Sequence, residues 1–468
     1  MDIHPATPEA YQLFHRGAIA FSEVEAAGMR IDLDYLDRTI EETGRRIAAL
    51  EEKLRGCDEY HLQRKRNGKD TNLTSREQLA AVLFEDQGHE CSSWTSGGKT
   101  GKKRRPQLDE EALLRIGTKY TKGFLRHEKL SKLHGTYLKG VRREVESDGL
   151  LHPFFNLHTV TTYRGSGSDP NFQNIPIRNS DIAKIIRRAF IPRDGHVLVE
   201  VDYGQIEVRV ACCLSQDEKL TYDTLHGDMH RDMAAECFKL PVEEVTKAIR
   251  GTAKGGFVFA EFYGDWYKQC TRNLWDAIER RNLVTEAGVP LGDHLAAQGF
   301  AERGDCNRKQ KEPRAGTFEA HIKAVEDRFW NDRFSVYNDT RKRWVEEYRE
   351  RGYIDLVTGF RCHGPMRRNQ VMNYHIQGPA FHCLMWSLTT LNVELKRRRM
   401  GTKIILQIHD SIVADVPLAE VDDYLVLVNE ISTTRLRAAW DWITVPFTIE
   451  AELATTNWYD KQPVEIPV

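Results

Sequence analysis

Two apolar runs that lie far apart in the chain each lead into an aspartate, and they restrict the possible folds more than any other feature. In residues 196–209 an alternating apolar run ends at Asp202, and residues with helical spacing follow at once, which predicts a strand, a turn and a helix. In residues 404–416 two short β-rich runs flank Asp410, which is typical of a hairpin with the aspartate at its tip. Each turn therefore offers a carboxylate at the end of a buried strand.

If the two turns lie side by side, Asp202 and Asp410 form a pair of hard oxygen ligands that suits Mg²⁺ better than a softer metal. Two such ions about 3.5–4 Å apart could hold the attacking and leaving oxygens of an in-line phosphoryl transfer. Each motif by itself has an ordinary alternative, because an aspartate at a strand end is commonly a helix cap or part of a surface turn.

The length and composition exclude several classes of protein. A chain of 468 residues is too long for one compact core, so we expect roughly two to four subdomains. No apolar stretch approaches the roughly 20 residues of a membrane span, and the amino terminus lacks a signal-peptide core. The nine cysteines are irregularly spaced, which argues against a disulfide framework or a zinc site. The net charge of −2 does not itself indicate nucleic acid, although local basic stretches can still bind phosphate.

The residues around both aspartates resemble the first and third palm motifs of the family A DNA polymerases, the group of bacterial DNA polymerase I and many bacteriophage replicases. The matching stretches are Asp-Tyr-Gly-Gln-Ile-Glu-Val-Arg, which begins at Asp202, and Gln-Ile-His-Asp-Ser, which ends at Ser411. Four further stretches match in the same order, and together they span nearly the whole chain. The resemblance implies an α+β fold, a right-hand polymerase with an antiparallel-sheet palm, a helical thumb and helical fingers. It divides the chain into an N-terminal leader and palm-entry segment (1–35), the thumb (36–150), the first part of the palm (151–212), the fingers (213–365) and the second part of the palm (366–468).

Several of the matching stretches imply contacts with DNA. Residues 161–176 are rich in Gly, Ser, Asn and Pro, which indicates a loop, and a plain surface turn is the alternative. They resemble the family's Thr-x-x-Arg…Asp-Pro-Asn-x-Gln-Asn-Ile-Pro signature, whose arginine and amides contact the primer strand and the minor groove, where acceptors are alike for all correct pairs. A basic helical stretch at 119–143 predicts a helix along the duplex phosphates, and a solvated face is its alternative. The predicted DNA-binding residues are Arg164, Asn171, Gln173, Asn174, Asn373, Gln377 and His409.

One helix in the predicted fingers carries the nucleotide-binding motif with an altered spacing. Family members place Arg, Lys, Phe and Tyr at steps of four, on one helix face, whereas here the step from Lys254 to Phe259 is five residues. At about 100° per residue, the extra position would rotate the aromatic residues away from the cations. We therefore predict a single π-turn near Gly255 and Gly256 that restores the common face. In a regular helix Val258 and Phe262 would take the aromatic positions instead, and an amphipathic core helix with two stray cations is a further alternative.

The resemblance assigns the remaining site residues. The Asp202 carboxylate, the Tyr203 carbonyl and the Asp410 carboxylate would hold two Mg²⁺ ions, for which Mn²⁺ can substitute. Lys254 is also a candidate catalytic proton donor to the leaving pyrophosphate. The residues predicted to bind the dNTP are Tyr203, Gln205, Glu207, His230, Arg250, Lys254, Phe259 and Tyr263. Of these, Glu207 matches the glutamate that closes the space of a ribose 2′-OH, which implies deoxyribonucleotide substrates.

The chain also departs from the family pattern. Ser411 stands where a glutamate commonly follows the catalytic aspartate, and we expect activity to survive this change because that glutamate is a secondary ligand at best. Asn369 replaces an arginine four residues before Asn373, with Arg368 beside it, so the contact made by that arginine is in question. Only about twenty residues precede the palm-entry segment, which implies that the 3′–5′ exonuclease domain is absent from this chain. It was either cut away or is encoded on another polypeptide.

The predicted function is that of a template-directed DNA polymerase in viral or bacterial DNA replication or repair, in the cytoplasm of a bacterium or a virus-infected host cell. Its expected partners are primer-template DNA, dNTPs and a separate exonuclease or replisome proteins, without a membrane. An RNA polymerase or reverse transcriptase is one alternative, and Glu207 argues against the first. The other alternative is a catalytically inactive subunit that binds primer-template. The presence of both aspartates and of the two cations Arg250 and Lys254 argues against it.

Overall fold

A five-stranded antiparallel sheet lies at the centre of the protein, for which the computed structural model describes residues 6–91, 94, 105–168, 171–172, 175, 180–307 and 309–467. The strand order in this sheet is β11-β10-β5-β9-β8, and three two-stranded sheets pair β1 with β2, β3 with β4 and β6 with β7. The strands are β1 Met29–Arg30, β2 Leu150–Leu151, β3 Phe154–Asn156, β4 Ser166–Ser168, β5 His196–Tyr203, β6 Tyr353–Asp355, β7 Arg361–His363, β8 Lys403–Ile408, β9 Ser411–Pro417, β10 Ile449–Ala454 and β11 Gln462–Val464.

Helices surround the sheet and make up most of the described chain. The α-helices are α1 Pro8–Ala27, α2 Leu33–Arg55, α3 Asp58–Asn67, α4 Arg76–Ala81, α5 Glu110–Ile116, α6 Lys119–Lys132, α7 Lys139–Glu144, α8 Ser180–Arg187, α9 Ile206–Ser215, α10 Glu218–His226, α11 Met229–Phe238, α12 Lys247–Ala253, α13 Phe259–Phe262, α14 Tyr267–Arg281, α15 Leu291–Ala297, α16 Phe318–Arg328, α17 Ser335–Arg351, α18 Arg368–Arg398, α19 Val421–Asn429 and α20 Leu436–Ala439. Short 3₁₀ segments occupy Gly68–Asp70, Val242–Glu244 and Leu418–Glu420, and π-helical turns occupy Val82–Asp86, Leu133–Leu138, Lys254–Val258, Phe329–Arg333 and Glu430–Arg435. In the described part of the chain, no helix combines the length and the apolar character that a membrane crossing would need.

Strand β5 is the middle strand of the sheet, and its composition explains why. Val197, Leu198, Val199 and Val201 are all buried, as expected for a strand with both faces covered. β5 pairs antiparallel with β9 on one side and with β10 on the other. In these registers Asp202 lies opposite Ser411 and also opposite Glu450, so the predicted strand, turn and hairpin belong to one sheet.

Helix α18 is largely buried and contacts the end of strand β5. Its residues Met385, Leu388 and Leu391 are fully buried, and it packs against α1, α9 and α17. The hydroxyl of Ser387 on α18 lies 2.7 Å from that of Tyr203, which ties the helix to the end of β5. The helix therefore fixes the strand end that carries Asp202.

A second, smaller hydrophobic core lies entirely between Leu54 and Leu125, within the segment predicted to be the thumb. It includes Leu79, Leu113 and Phe124 from three different helices. The basic stretch predicted to be a helix forms α6, a π-helical turn and α7 in direct succession. Its apolar residues face the cores and most of its cations face solvent.

A segment after α14 is fastened to that helix by buried cations. The Lys268 side chain is fully buried, and its Nζ donates hydrogen bonds to the carbonyl oxygens of Asn307, at 2.6 Å, and Gln310. The Arg272 guanidinium donates to the carbonyl oxygen of Cys306. Because α14 directly follows the helix with the predicted nucleotide-binding residues, this segment is anchored close to the site.

Candidate active site

The two predicted acidic turns lie next to each other at one end of the sheet. Asp202 is the penultimate residue of β5, and Asp410 lies in the tight turn between β8 and β9. The Tyr203 N–H donates a hydrogen bond of 3.3 Å to the Asp410 carbonyl oxygen, so the main chains of the two turns are in contact. His409 adopts a left-handed conformation (φ 51°) in the hairpin turn and is exposed at its tip.

The electrostatic surroundings raise the pKa values of both carboxylates. Although Asp202 is open to solvent on one side, desolvation by the surrounding protein, followed by repulsion from Asp410 and Glu200, raises its pKa to about 7. Burial also raises the pKa of Asp410, against the attraction of Arg164 and His409. Within the described residues, neither side chain accepts a hydrogen bond or forms an ion pair.

A divalent cation fits this donor set. The two adjacent carboxylates have raised pKa values and form no ion pair with the described residues, and hard cations such as Mg²⁺ supply positive charge while retaining several waters. Among the described residues, no third histidine, cysteine or acidic side chain joins the pair in a group that could hold a metal ion. Ser411, at the position of the family's secondary carboxylate, instead donates its hydroxyl to the Ile408 carbonyl oxygen at 2.9 Å.

The Tyr203 side chain points away from the site. Its ring is buried, and its hydroxyl contacts the Ser387 hydroxyl and the Ser432 carbonyl oxygen, at 2.7 and 3.2 Å. Any contact of Tyr203 with a metal ion or nucleotide must therefore come from its main chain. The next turn contains Gln205, which is exposed and left-handed (φ 54°), and it leads directly into α9.

Glu207, in the first turn of α9, contacts Tyr263 of the predicted nucleotide helix and Arg164 of the predicted primer-binding loop. The Tyr263 hydroxyl donates a hydrogen bond of 2.9 Å to its Oε2, and the Arg164 Nη1 lies 3.6 Å from its Oε1. Burial, and then repulsion from Asp410, raises the pKa of Glu207, while Arg164 and Tyr263 oppose this rise. The structure thus brings the helix with the nucleotide motif and the predicted primer-binding loop onto one carboxylate beside the acidic pair.

The predicted π-turn is confirmed. The Phe259 N–H donates to the Lys254 carbonyl oxygen, a bond that spans five residues and closes the π-helical segment Lys254–Val258 between α12 and α13. As a result the Lys254 Nζ lies 5.1 Å from the centroid of the Phe259 ring, and the Phe259 and Tyr263 rings are 6.4 Å apart. The regular-helix alternative is wrong, because Val258 is buried on another face of the helix.

The two glycines of the π-turn have different surroundings. A Cβ atom at Gly256 would lie 2.9 Å from the Leu274 Cδ2 on α14, whereas one at Gly255 would have no neighbour within 4 Å. Gly256 therefore allows α14 to pack closely against the turn. Gly255 lowers the cost of the distortion only through its weak preference for the α-helix.

His230 lies close to both Lys254 and Arg250. The His230 ring, on α11, contacts the Phe259 ring edge-on at 5.4 Å. Burial, and then repulsion from Lys254 and Arg250, lowers the pKa of His230 to about 4, so the imidazole is neutral at pH 7. The Arg250 guanidinium forms an ion pair of 2.8 Å with Asp228, a residue to which the sequence assigned no role. The only sequence signal for Asp228 is its place just before α11, two residues from His230.

The predicted template-contacting residues lie on α18, close to the nucleotide helix. The Asn373 Nδ2 donates a hydrogen bond of 3.0 Å to the Tyr263 carbonyl oxygen, and Gln377 is half-buried one turn further on. Asn369 packs against Gly264 so closely that a Cβ atom added at Gly264 would lie 2.9 Å from the Asn369 Cβ. Arg368, beside Asn369, is exposed.

Only part of the predicted primer-binding loop can be located. Arg164 lies at Glu207, and Asn171 is exposed. Gln173 and Asn174 lie outside the described residues.

The fold has the right-hand architecture of nucleic acid polymerases, with both acidic turns at one end of its central antiparallel sheet. The chain belongs to DNA polymerase family A, whose sequence profile matches residues 34–281 and 319–460. It is 30% identical over 423 residues to the thermostable DNA polymerase I of Thermus aquaticus, which covers 88% of this chain and 44% of that protein. It is 28% identical over 450 residues to DNA polymerase I of Bacillus subtilis, which covers 95% of this chain and 45% of that protein. The chain thus spans slightly less than half the length of these relatives.

A solved structure has the same fold. It is described as the POL domain of Pol1 from M. smegmatis in complex with DNA primer-template and dNTP. The two superpose with a TM-score of 0.70 at 25% sequence identity, and the match covers 95% of this chain and 70% of the other. The α+β right-hand fold with an antiparallel-sheet palm, expected from the sequence, is therefore confirmed. Residues 282–318, which include the segment held by Lys268, lie between the two parts of the family match.

Proposed function

We propose that this chain is a template-directed DNA polymerase that adds dNTPs to the 3′-OH of a DNA primer with the help of two Mg²⁺ ions. One observation carries the proposal: the Asp202 and Asp410 pair lies beside Glu207, and Glu207 is hydrogen-bonded to Tyr263 on the helix that also presents Arg250 and Lys254. Glu207 thus connects the proposed metal-binding carboxylates to the helix that carries the proposed phosphate-binding cations. Membership of DNA polymerase family A supports the same function.

The acidic pair is the proposed metal site. Asp202, the Tyr203 main-chain oxygen and Asp410 would hold the ions, and Mn²⁺ can substitute for Mg²⁺. When bound, the two ions supply orientation of the attacking and leaving oxygens and neutralisation of the charge that develops on them. The raised pKa values of both aspartates support this role, because a site built for cations is poorly stabilised as two free carboxylates.

The nucleotide helix binds the triphosphate in this proposal. The primer 3′-OH loses its proton to solvent as its oxygen attacks the α-phosphorus, and the bond from that phosphorus to the bridging oxygen of pyrophosphate breaks. Arg250 and Lys254 attract the β- and γ-phosphates, and Lys254 donates a proton to the departing pyrophosphate. His230 is neutral at pH 7, so it would donate a hydrogen bond to the triphosphate without adding a positive charge.

The sugar and base are recognised by the residues around Glu207. Phe259 and Tyr263 offer aromatic surfaces for the sugar and base of the nucleotide and for the template base, and Gln205 is exposed beside them. The Tyr263 hydrogen bond fixes the Glu207 carboxylate where it would exclude a ribose 2′-OH. We therefore infer that deoxyribonucleotides are the substrates.

The DNA is held by residues of three elements in the same proposal. Arg164, Asn171 and the loop residues Gln173 and Asn174 would contact the primer and the minor groove, while Asn373, Gln377 and His409 would contact the strands near the nascent pair. The division into thumb (36–150), fingers (213–365) and a palm in two parts belongs to the same proposal. A separate exonuclease or replisome proteins are proposed further partners.

Primer extension with purified protein tests the proposal. Wild-type protein with Mg²⁺, a labelled DNA primer-template and four dNTPs should extend the primer, and Asp410→Asn should reduce the rate by at least about a thousandfold. Asp194→Asn is the matched control, because Asp194 is exposed and pairs only with Arg30 among the described residues. Equal extension by wild type and Asp410→Asn would refute the proposed metal site. A failure of the wild-type protein to extend the primer would refute the proposed function. Parallel reactions with rNTPs and with an RNA template distinguish an RNA polymerase and a reverse transcriptase.

A further inference from the structure

We propose that Asp228 is a positioning residue that orients the Arg250 guanidinium towards the triphosphate of the incoming nucleotide. The inference rests on the proposed function, in which Arg250 binds the β- and γ-phosphates. Asp228 itself would not touch the nucleotide; it would act through Arg250 alone.

The geometry of the ion pair supports this role. Both carboxylate oxygens of Asp228 accept from a single nitrogen, the Arg250 Nε, at 3.0 and 2.8 Å. A guanidinium has five N–H donors in one plane, and four of them belong to the two Nη atoms. Neither Nη atom of Arg250 has a partner among the described residues, so the two-pronged end of the group remains available to phosphate oxygens.

Asp228 is itself held rigidly. It is the N-cap of α11, where its Oδ1 accepts a hydrogen bond of 3.1 Å from the Arg231 N–H. Burial acts to raise the pKa of Asp228, but hydrogen bonds from Arg250 and from the Arg231 main chain outweigh it and lower the pKa. The carboxylate is therefore anionic at neutral pH and fixed to the same helix end that carries His230.

Stability does not explain the pair. The two side chains are 37% and 40% exposed, and ion pairs with that much exposure contribute little to folding. The helices α11 and α12 are already joined by buried residues, among them Met233 and Ile249. An aspartate also caps a helix equally well without a cation beside it, as Asp32 does at α2.

A double-mutant cycle in single-nucleotide incorporation tests the inference. Asp228→Asn removes the charge but keeps an N-cap side chain, and it should raise the KM for the dNTP about fivefold to tenfold with kcat changed less than about twofold. Arg250→Ala should raise the KM further. In the Arg250→Ala background, Asp228→Asn should have no additional effect, because its partner is gone. Asp32→Asn is the matched control for a helix N-cap and should leave the KM unchanged.

The possible outcomes separate the inference from the proposed function. Failure of wild-type protein to extend a primer would overturn the proposed function, and the inference with it. If wild type extends the primer but Asp228→Asn leaves the KM unchanged or lowers it, Asp228 does not position Arg250. An equal increase of the KM in both backgrounds would show that Asp228 acts independently of Arg250, which also overturns the inference. Thermal melting of all five proteins checks that the folds are intact.

Discussion

Metal binding at the acidic pair should weaken steeply below pH 7. The pKa of Asp202 is raised to about 7, so a proton and a metal ion compete for its carboxylate in the neutral range. When one proton must leave for one ion to bind, the apparent affinity falls about tenfold for each pH unit below that pKa. Asp202 and Asp410 titrate as a coupled pair, so the raised pKa of Asp410 makes the apparent metal affinity fall further at lower pH.

A titration of Mn²⁺ followed by electron paramagnetic resonance measures this effect directly. It is done without DNA or nucleotide, at pH values from about 5.5 to 8.5. Asp202→Asn should bind Mn²⁺ weakly and lose the pH dependence between pH 6 and 7. In Asp410→Asn, the repulsion that helps raise the pKa of Asp202 is removed, so the fall should begin at a lower pH. An affinity independent of pH in wild type, or an unchanged profile in Asp202→Asn, would refute the reasoning.

The same linkage predicts the direction of the stability change. The folded protein holds the Asp202 proton more tightly than the unfolded chain, in which the pKa is near 3.8. Between pH 3.8 and about 7 the folded state therefore binds more protons, and the Asp202 contribution to the free energy of unfolding falls as pH rises through this window. Mg²⁺ should reverse this loss near pH 7. Urea unfolding with and without Mg²⁺ at pH 5 and pH 7 measures it, and a Mg²⁺ effect of equal size at both pH values would contradict the explanation.

Three further predictions concern the helix and its surroundings. Tyr263→Phe removes the hydrogen bond to the Glu207 carboxylate, and a hydrogen bond to a charged group contributes about 1.5–3 kcal/mol. Discrimination against rNTPs should therefore fall roughly tenfold. Unchanged discrimination in competitive incorporation assays would contradict the role of Glu207 in excluding the ribose 2′-OH. Deletion of Gly255 shortens the step from Lys254 to Phe259 to four residues, so a regular α-helix would keep both side chains on one face. The KM for the dNTP should therefore stay within about threefold of the wild-type value. Loss of nucleotide binding would show that the π-turn itself is required. Lys268→Met removes a fully buried ammonium group that donates hydrogen bonds to two carbonyl oxygens, and it should lower the free energy of unfolding by about 2–4 kcal/mol. Lys323→Met removes a more exposed ion pair and should have a much smaller effect, and thermal and urea unfolding compare the two variants.

The sequence alone determined the features that depend on local spacing. The mostly apolar run at residues 197–201 predicted the strand that leads into Asp202, and the five-residue step from Lys254 to Phe259 predicted the π-turn. Such a run is typical of a strand that is covered on both faces, and the number of residues per helical turn fixes which side chains share a helix face. The order of the motifs also indicated the fold, through the resemblance to the family A DNA polymerases.

Only the tertiary structure decided the contacts between distant segments. Nothing in the spacing of the sequence indicates that Asp228 pairs with Arg250, that Tyr203 turns its ring towards Ser387, or that Glu207 bonds to Tyr263. The role of Lys268 was equally hidden, because the segment that it holds lies outside the family match. These contacts depend on how helices pack around the sheet, and side chains that look alike in sequence differ in which neighbours that packing gives them.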